Sequence, residues 1–165
     1  MKKIVLPLLL FSILFSGKAQ EMNNKKLGVI INQVADTVQG DEGRWQFLIK
    51  ETMLICVTDE NHNRMRIISP IVEASKLTEE LMLNSLVANF HTALDVKYAV
   101  SDEIVWSVFI HPLRELSSEQ VEDAISQVYY ANNTFGVSFS STNLIFPGNT
   151  KKEERSSPEE NKSKI

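Results

Sequence analysis

His62, Arg64 and Arg66 lie within six residues of one another in the stretch ENHNRMRIISP, residues 60–70. An imidazole beside two guanidiniums could bind an anion or serve a small active site. The same stretch also reads as a hairpin turn leading into a strand. Thr58 to Asn63 is rich in Asp and Asn, whose side chains bond to nearby backbone and tolerate turn dihedrals. RMRIISPIV then alternates, with Arg64 and Arg66 on one face and Met65 and Ile67 on the other. This pattern favours the hairpin, with His62 exposed at its tip. An anion site built from Arg64, Arg66 and His62 on an open sheet face is the alternative. Pro70 has no N–H to donate, which points to an edge position or the end of the strand.

Other groups capable of chemistry are scattered. His62, His91 and His111 are the only histidines, and no two are close in sequence. His91 sits beside an apolar helical stripe and reads as a structural histidine. His111 precedes Pro112 and is placed to cap local backbone. There is no HExxH spacing, no paired cysteine, no serine elbow and no glycine-rich phosphate loop. No catalytic residue, metal site or cofactor is therefore expected. Cys56 is the only cysteine, so no intramolecular disulfide can form, and its place in ETMLICVTD reads as a buried inert thiol. Asn132-Asn133-Thr134 matches a glycosylation sequon.

The ends of the chain indicate export. Lys2 and Lys3 precede an apolar run from Ile4 to Phe15, and Ser16-Gly17-Lys18-Ala19 follows. About a dozen apolar residues suffice for a signal peptide but fall short of the roughly 20 that span a bilayer. Residues 1–19 are expected to be a cleaved signal peptide, which gives a periplasmic or secreted protein without stable membrane insertion. Cleavage leaves 14 basic against 21 acidic side chains, a net charge near −7. Such a surface argues against nucleic acid as the partner. Residues 148–165 (GNTKKEERSSPEENKSKI) carry almost no apolar side chain and are expected to be a disordered tail. Residues 20–147 make one domain.

Within that domain the hydrophobic period changes several times. Leu27, Ile30, Ile31, Val34 and Val38 are spaced as a helix, which the Gly40–Gly43 segment is expected to end. RWQFLIKE and MLICVTD read as two strands joined by a turn at residues 50–52, with RMRIISPIV as the third. Ser75 to Asp95 returns to helical spacing, with Ser75 and Thr78 as candidate caps. Leu83, Leu86, Val87, Phe90 and Leu94 are its expected buried stripe. A hairpin follows, with Val96–Val100 and Val105–Ile110 as strands and a turn at 101–103. Ser117 and Gln120 form a capping box for the last helix, whose expected core stripe is Val121, Ala124, Ile125, Val128 and Tyr129, with Gly136 as its stop. Phe135, Val137, Phe139, Leu144 and Phe146 are expected to cover an end of the core or the face left bare by the helices. The result is an α+β fold of order α-β-β-β-α-β-β-α, with one antiparallel sheet of about five strands and packed helices.

The strand IVWSVFI is apolar on both faces, so a partner is one candidate to cover the second. Trp106, Val108, Phe109 and Ile110 are the interface candidates. The element order, together with the phrases RMRIISPIV and LVANFHTALDVKYAV, resembles the YbjN domain, whose fold is related to the small type III secretion chaperones. The resemblance implies a non-enzymatic domain, often dimeric, whose relatives bind polypeptides. The leading expectation is thus an exported protein- or peptide-binding module, chaperone-like or assembly-related, with a homodimer as one form. A small envelope enzyme or anion-binding protein using the Arg/His cluster is the alternative.

Overall fold

The computed structural model describes residues 21–142. Helix α1 (Asn24–Val34) is followed by four strands, β1 (Thr37–Asp41), β2 (Arg44–Ile49), β3 (Thr52–Asp59) and β4 (Arg64–Glu73). A short 3-10 turn at Ala74–Lys76 leads to α2 (Glu79–His91), then β5 (Lys97–Ser101), β6 (Ile104–His111) and α3 (Ser118–Thr134). All pairings are antiparallel, and the sheet order is β1-β2-β3-β4-β6-β5. The α+β class and the single sheet agree with the sequence reading. The sheet has six strands rather than about five, because α1 stops at Val34 and Thr37–Asp41 pairs with β2. Val38 keeps its apolar role from the strand, packed against the core beside Phe47. A valine at helical spacing is also a valine at strand spacing, and pairing with β2 decides. Gly40 then has a backbone reason: its φ is +99°, and a Cβ there would collide with the Arg44 carbonyl oxygen.

Two of the other hairpin turns are two residues long and carry no glycine. Lys50-Glu51 and Asp102-Glu103 take left-handed φ values of 45° and 70°, and 49° and 61°, as two-residue hairpins that match the strand twist require.

The core lies on one face of the sheet. Trp45 and Phe47 of β2, Leu54 and Cys56 of β3, and Met65 and Ile67 of β4 alternate inward. Leu27, Ile30 and Ile31 of α1, with Val121, Ala124, Ile125 and Val128 of α3, close over them. Helix α3 begins as the sequence indicates, with reciprocal bonds between Ser117 and Gln120.

Pro70 does not end its strand, since β4 continues to Glu73, but it lies beyond the β3 ladder, whose last pair is Ile55–Ile68, so β4 is paired there with β6 alone. A register shift against β6 follows between Pro70 and Val72. Asn132 of α3 secures this irregularity, donating to Pro70 O and Ser69 Oγ, both at 2.7 Å. Replacing Asn132 with Ala should therefore lower unfolding free energy by roughly 2 kcal/mol, the cost of stranding buried acceptors. Urea denaturation measures it, and an unchanged midpoint would show that the bulge holds without α3.

Candidate functional site

The turn bearing His62 is a structural clasp. His62 Nδ1 lies 2.7 Å from Asp59 Oδ2, and the His62 amide donates to Asp59 Oδ1 at 3.0 Å. Asn63 donates to Glu115 and accepts from the Arg114 amide, while Arg114 donates to Glu60 O at 2.8 Å. Glu60 in turn accepts the Asn24 amide at the start of α1. The turn thus ties α1, the β3–β4 hairpin and the segment before α3 together. Arg64 donates to Asn63 O, and Arg66 points away from the helices, in register with Val57 and Ile110. His62 is exposed and held by Asp59.

The remaining histidines are far apart. His91 is exposed, with its ring edge-on to Phe90, and is not the embedded structural residue expected from its stripe. His111 Nδ1 lies 2.8 Å from Pro112 O, as the sequence reading proposed. Among the described residues no group of three His, Cys, Asp or Glu could hold a metal ion. Asn132 of the sequon is committed to Ser69 and Pro70 on the core side of α3.

Titration shifts are few and have structural causes. Burial pushes the Cys56 thiol up to about 12. Burial likewise raises Tyr98 to about 12, its hydroxyl donating to Ala131 O. Glu115 is lowered chiefly by its bonds from Asn63. Asp59 is lowered first by the His62 amide, then by the His62 ring.

The unexpected surface is α2. Thr78, not Ser75, caps it, accepting from the Leu81 amide at 3.1 Å. Its expected buried stripe faces outward: Leu83 is 61% exposed, Leu86 60%, Val87 49%, Phe90 86% and Leu94 47%. Met82 adds to the same exposed set. The inward residues are Leu81, Ser85 and Ala88, one turn apart, of which Ser85 and Ala88 are small and buried. Asn89 fastens the helix to the edge strand, accepting from Tyr98 N at 2.7 Å and donating to Tyr98 O at 3.2 Å. The segment after α3 runs along the inner flank. Gly136 lies near Leu81, and at the far end Ser141 N donates to Thr92 O. Phe139 is buried there and Phe135 packs against the core, whereas Val137 is exposed. Leu144 and Phe146 lie outside the described residues. Periodicity located the α2 stripe but could not tell its direction, since a helix packed through small residues carries its large ones outside.

The β6 candidates divide between two faces. Phe109 points toward the helices and is buried, whereas Trp106, Val108 and Ile110 point to the uncovered face. No described helix is long and apolar enough to cross a membrane.

No known protein-family model and no curated protein matches the sequence. Solved structures do match. One comes from the HopA1–SchA chaperone–effector complex, at 11% identity and a TM-score of 0.52, covering 68% of this chain and 94% of that one. Another comes from the ExsC–ExsE complex, at 14% identity and 0.52, covering 68% and 92%. A third comes from the Yersinia pestis type III secretion chaperone SycH with a stable fragment of YscM2, at 11% and 0.52, covering 68% and 98%. The fold is that of the type III secretion chaperones. At these identities the likeness concerns the fold.

Two expectations follow from the titrating groups. Cys56 should resist a thiol reagent such as DTNB in native protein and react stoichiometrically in denaturant; ready native labelling would contradict its burial. Asp59 is depressed in the folded state, so its contribution is present above the ordinary aspartate pKa and is lost as pH falls through the folded value. In His62→Ala the Asp59 pKa should rise, yet stay below that of a free aspartate, because the residue-62 amide still donates. Carboxyl-carbon NMR titration reads this directly, and an unmoved Asp59 would remove the ring from the account.

Proposed function

We propose that this chain is an exported, non-enzymatic protein-binding module of the YbjN type that pairs with a second copy of itself through the outer face of α2. The observation that carries the reading is the stripe from Met82 to Leu94, where six large apolar side chains stand about half exposed or more. Val100 of the neighbouring edge strand, 58% exposed, extends it. Isolated apolar side chains on a surface are ordinary, but a contiguous stripe marks an interaction site. Covering this set would remove on the order of 700 Å² from each copy, close to the roughly 800 Å² per partner of a standard interface.

The edge strand itself offers less. Asn89 occupies the backbone groups of Tyr98 that a pairing strand would need, so α2 rather than β5 is the available surface. Large side chains on one exposed helix face suit a two-fold contact, in which the same stripe meets itself. The chaperone–effector and chaperone–fragment complexes among the fold neighbours lend support to a protein partner. The apolar N-terminal run and its small-residue junction support export.

Light scattering on the chain lacking residues 1–19 tests the pairing. A dimer is expected at micromolar concentration, and Phe90→Asp or Leu86→Asp should convert it to a monomer with an unchanged circular dichroism spectrum. Both positions are exposed in the single chain, so loss of mass without loss of fold is the diagnostic result. A monomer at every concentration would overturn the self-pairing.

A further inference from the structure

An antiparallel sheet with one solvated face normally alternates apolar inward and polar outward. Strands β1 and β2 follow this rule over most of their length, with Gln39, Asp41, Arg44 and Gln46 exposed on the side away from the helices. The central strands break it. Register places Ile55, Ile68 and Val108 in one outward row across β3, β4 and β6. Pro70 and Trp106 form the row on one side of it, and Val57 and Ile110 belong to the row on the other. Ile110 is 59% exposed, and no described helix covers this face. The three rows extend about 13 Å along the strands, two steps of two residues each, which suits a single helix of about 10–12 Å diameter lying across the strands.

One end of the band is cationic. Arg44 and Arg66 flank Val57 in a single row. Neither guanidinium has an ion-pair or hydrogen-bond partner among the described residues, where the ion pairs are Asp59–His62 and Lys76–Glu73. Asp41 is opposite Arg44 in the ladder without an ion pair forming, and Arg66 has only Val57 and Ile110 opposite it. These two arginines sit on a chain of net charge −4, so the face departs from the rest in sign as well as polarity.

We propose that this band binds an acidic amphipathic helix of a partner polypeptide, its apolar side on Ile55, Ile68 and Val108 and its carboxylates on Arg44 and Arg66. The two arginines are two strand spacings apart, about 10 Å. Carboxylates seven residues apart on a helix are separated by the same rise of about 10 Å, and positions three and four between them face the sheet. Guanidinium forks donate paired hydrogen bonds to carboxylates, which gives the site its preference for acid over base. The proposal rests on the protein-binding reading but uses a different surface from α2.

The test is fluorescence anisotropy of a labelled 15-residue helical peptide with Glu at positions 4 and 11 and Leu at 7 and 8, against a counterpart with Lys for Glu. The acidic peptide should bind the full chain lacking residues 1–19, more weakly as salt rises. Arg44→Glu with Arg66→Glu should weaken binding at least about tenfold, as expected for lost charge-assisted bonds. Trp106→Asp should weaken it too, and the Lys peptide should bind at least tenfold more poorly. Circular dichroism confirms that each variant is folded. Equal affinity for the two peptides, or indifference to both substitutions, would overturn the proposal. Arginine-dependent sedimentation with phosphatidylglycerol vesicles, without peptide binding, would assign the face to a membrane instead. Loss of self-association in Trp106→Asp would assign it to a second copy. Repeating the titration in Phe90→Asp separates this surface from α2, since peptide binding should persist there whether or not the chain pairs through that helix.

Discussion

Helix α3 comes close to the centre of the sheet because two serines lie beneath it. Ser69 and Ser107 are opposite each other on β4 and β6, and both are fully buried. A larger pair would hold the helix off. Ser107 donates to the Val128 carbonyl, and Ser69 donates to Met53 O while accepting from Asn132. Buried hydroxyls are costly unless satisfied, and here each has a partner. The seat they provide fixes α3 over β3, β4 and β6, and α1 then fills the space above β1 and β2 against α3.

That arrangement determines where α2 can go. With the inner face of the sheet occupied, α2 packs chiefly on the edge strand β5 and lies near the segment that follows α3. Its inward side is correspondingly narrow, built from Leu81, Ser85, Ala88 and the Asn89 amide. The large apolar residues have no room beneath them and face solvent. The exposed stripe is thus a result of the α3 seat and not an independent feature of the α2 sequence.

Much of this fold was legible in the sequence, and what escaped has a common physical reason. The order of helices and strands, the inward alternation of Trp45 and Phe47, the Ser117–Gln120 box and the burial of Cys56 all depend on local pattern, which a sequence carries directly. Three features depend on what lies across from a segment. Val38 fits a helix and a strand equally, Pro70 can lie mid-strand because the β3 ladder stops before it, and the α2 stripe can face either way. The Arg/His stretch illustrates the same limit for sites. Alternation put Arg64 and Arg66 on one face, but Arg44, two strands away, joins the row of Arg66 only through the registers of β2 with β3 and of β3 with β4.

The sheet order has a consequence for how the chain assembles. Strands β1 to β4 pair each with the next, so they can zip as a meander through short turns. The β4–β6 pairing is the exception, since it joins strands separated by α2 and β5. Closing so long a loop costs entropy before the contacts reward it, which makes such pairings late events. Until β6 inserts, β4 is an open edge and α3 has only half its seat, because Ser107 arrives with β6. The domain therefore completes its core only when its last strand and last helix arrive together, and a chain stopped short of residue 111 would hold a meander without its lid.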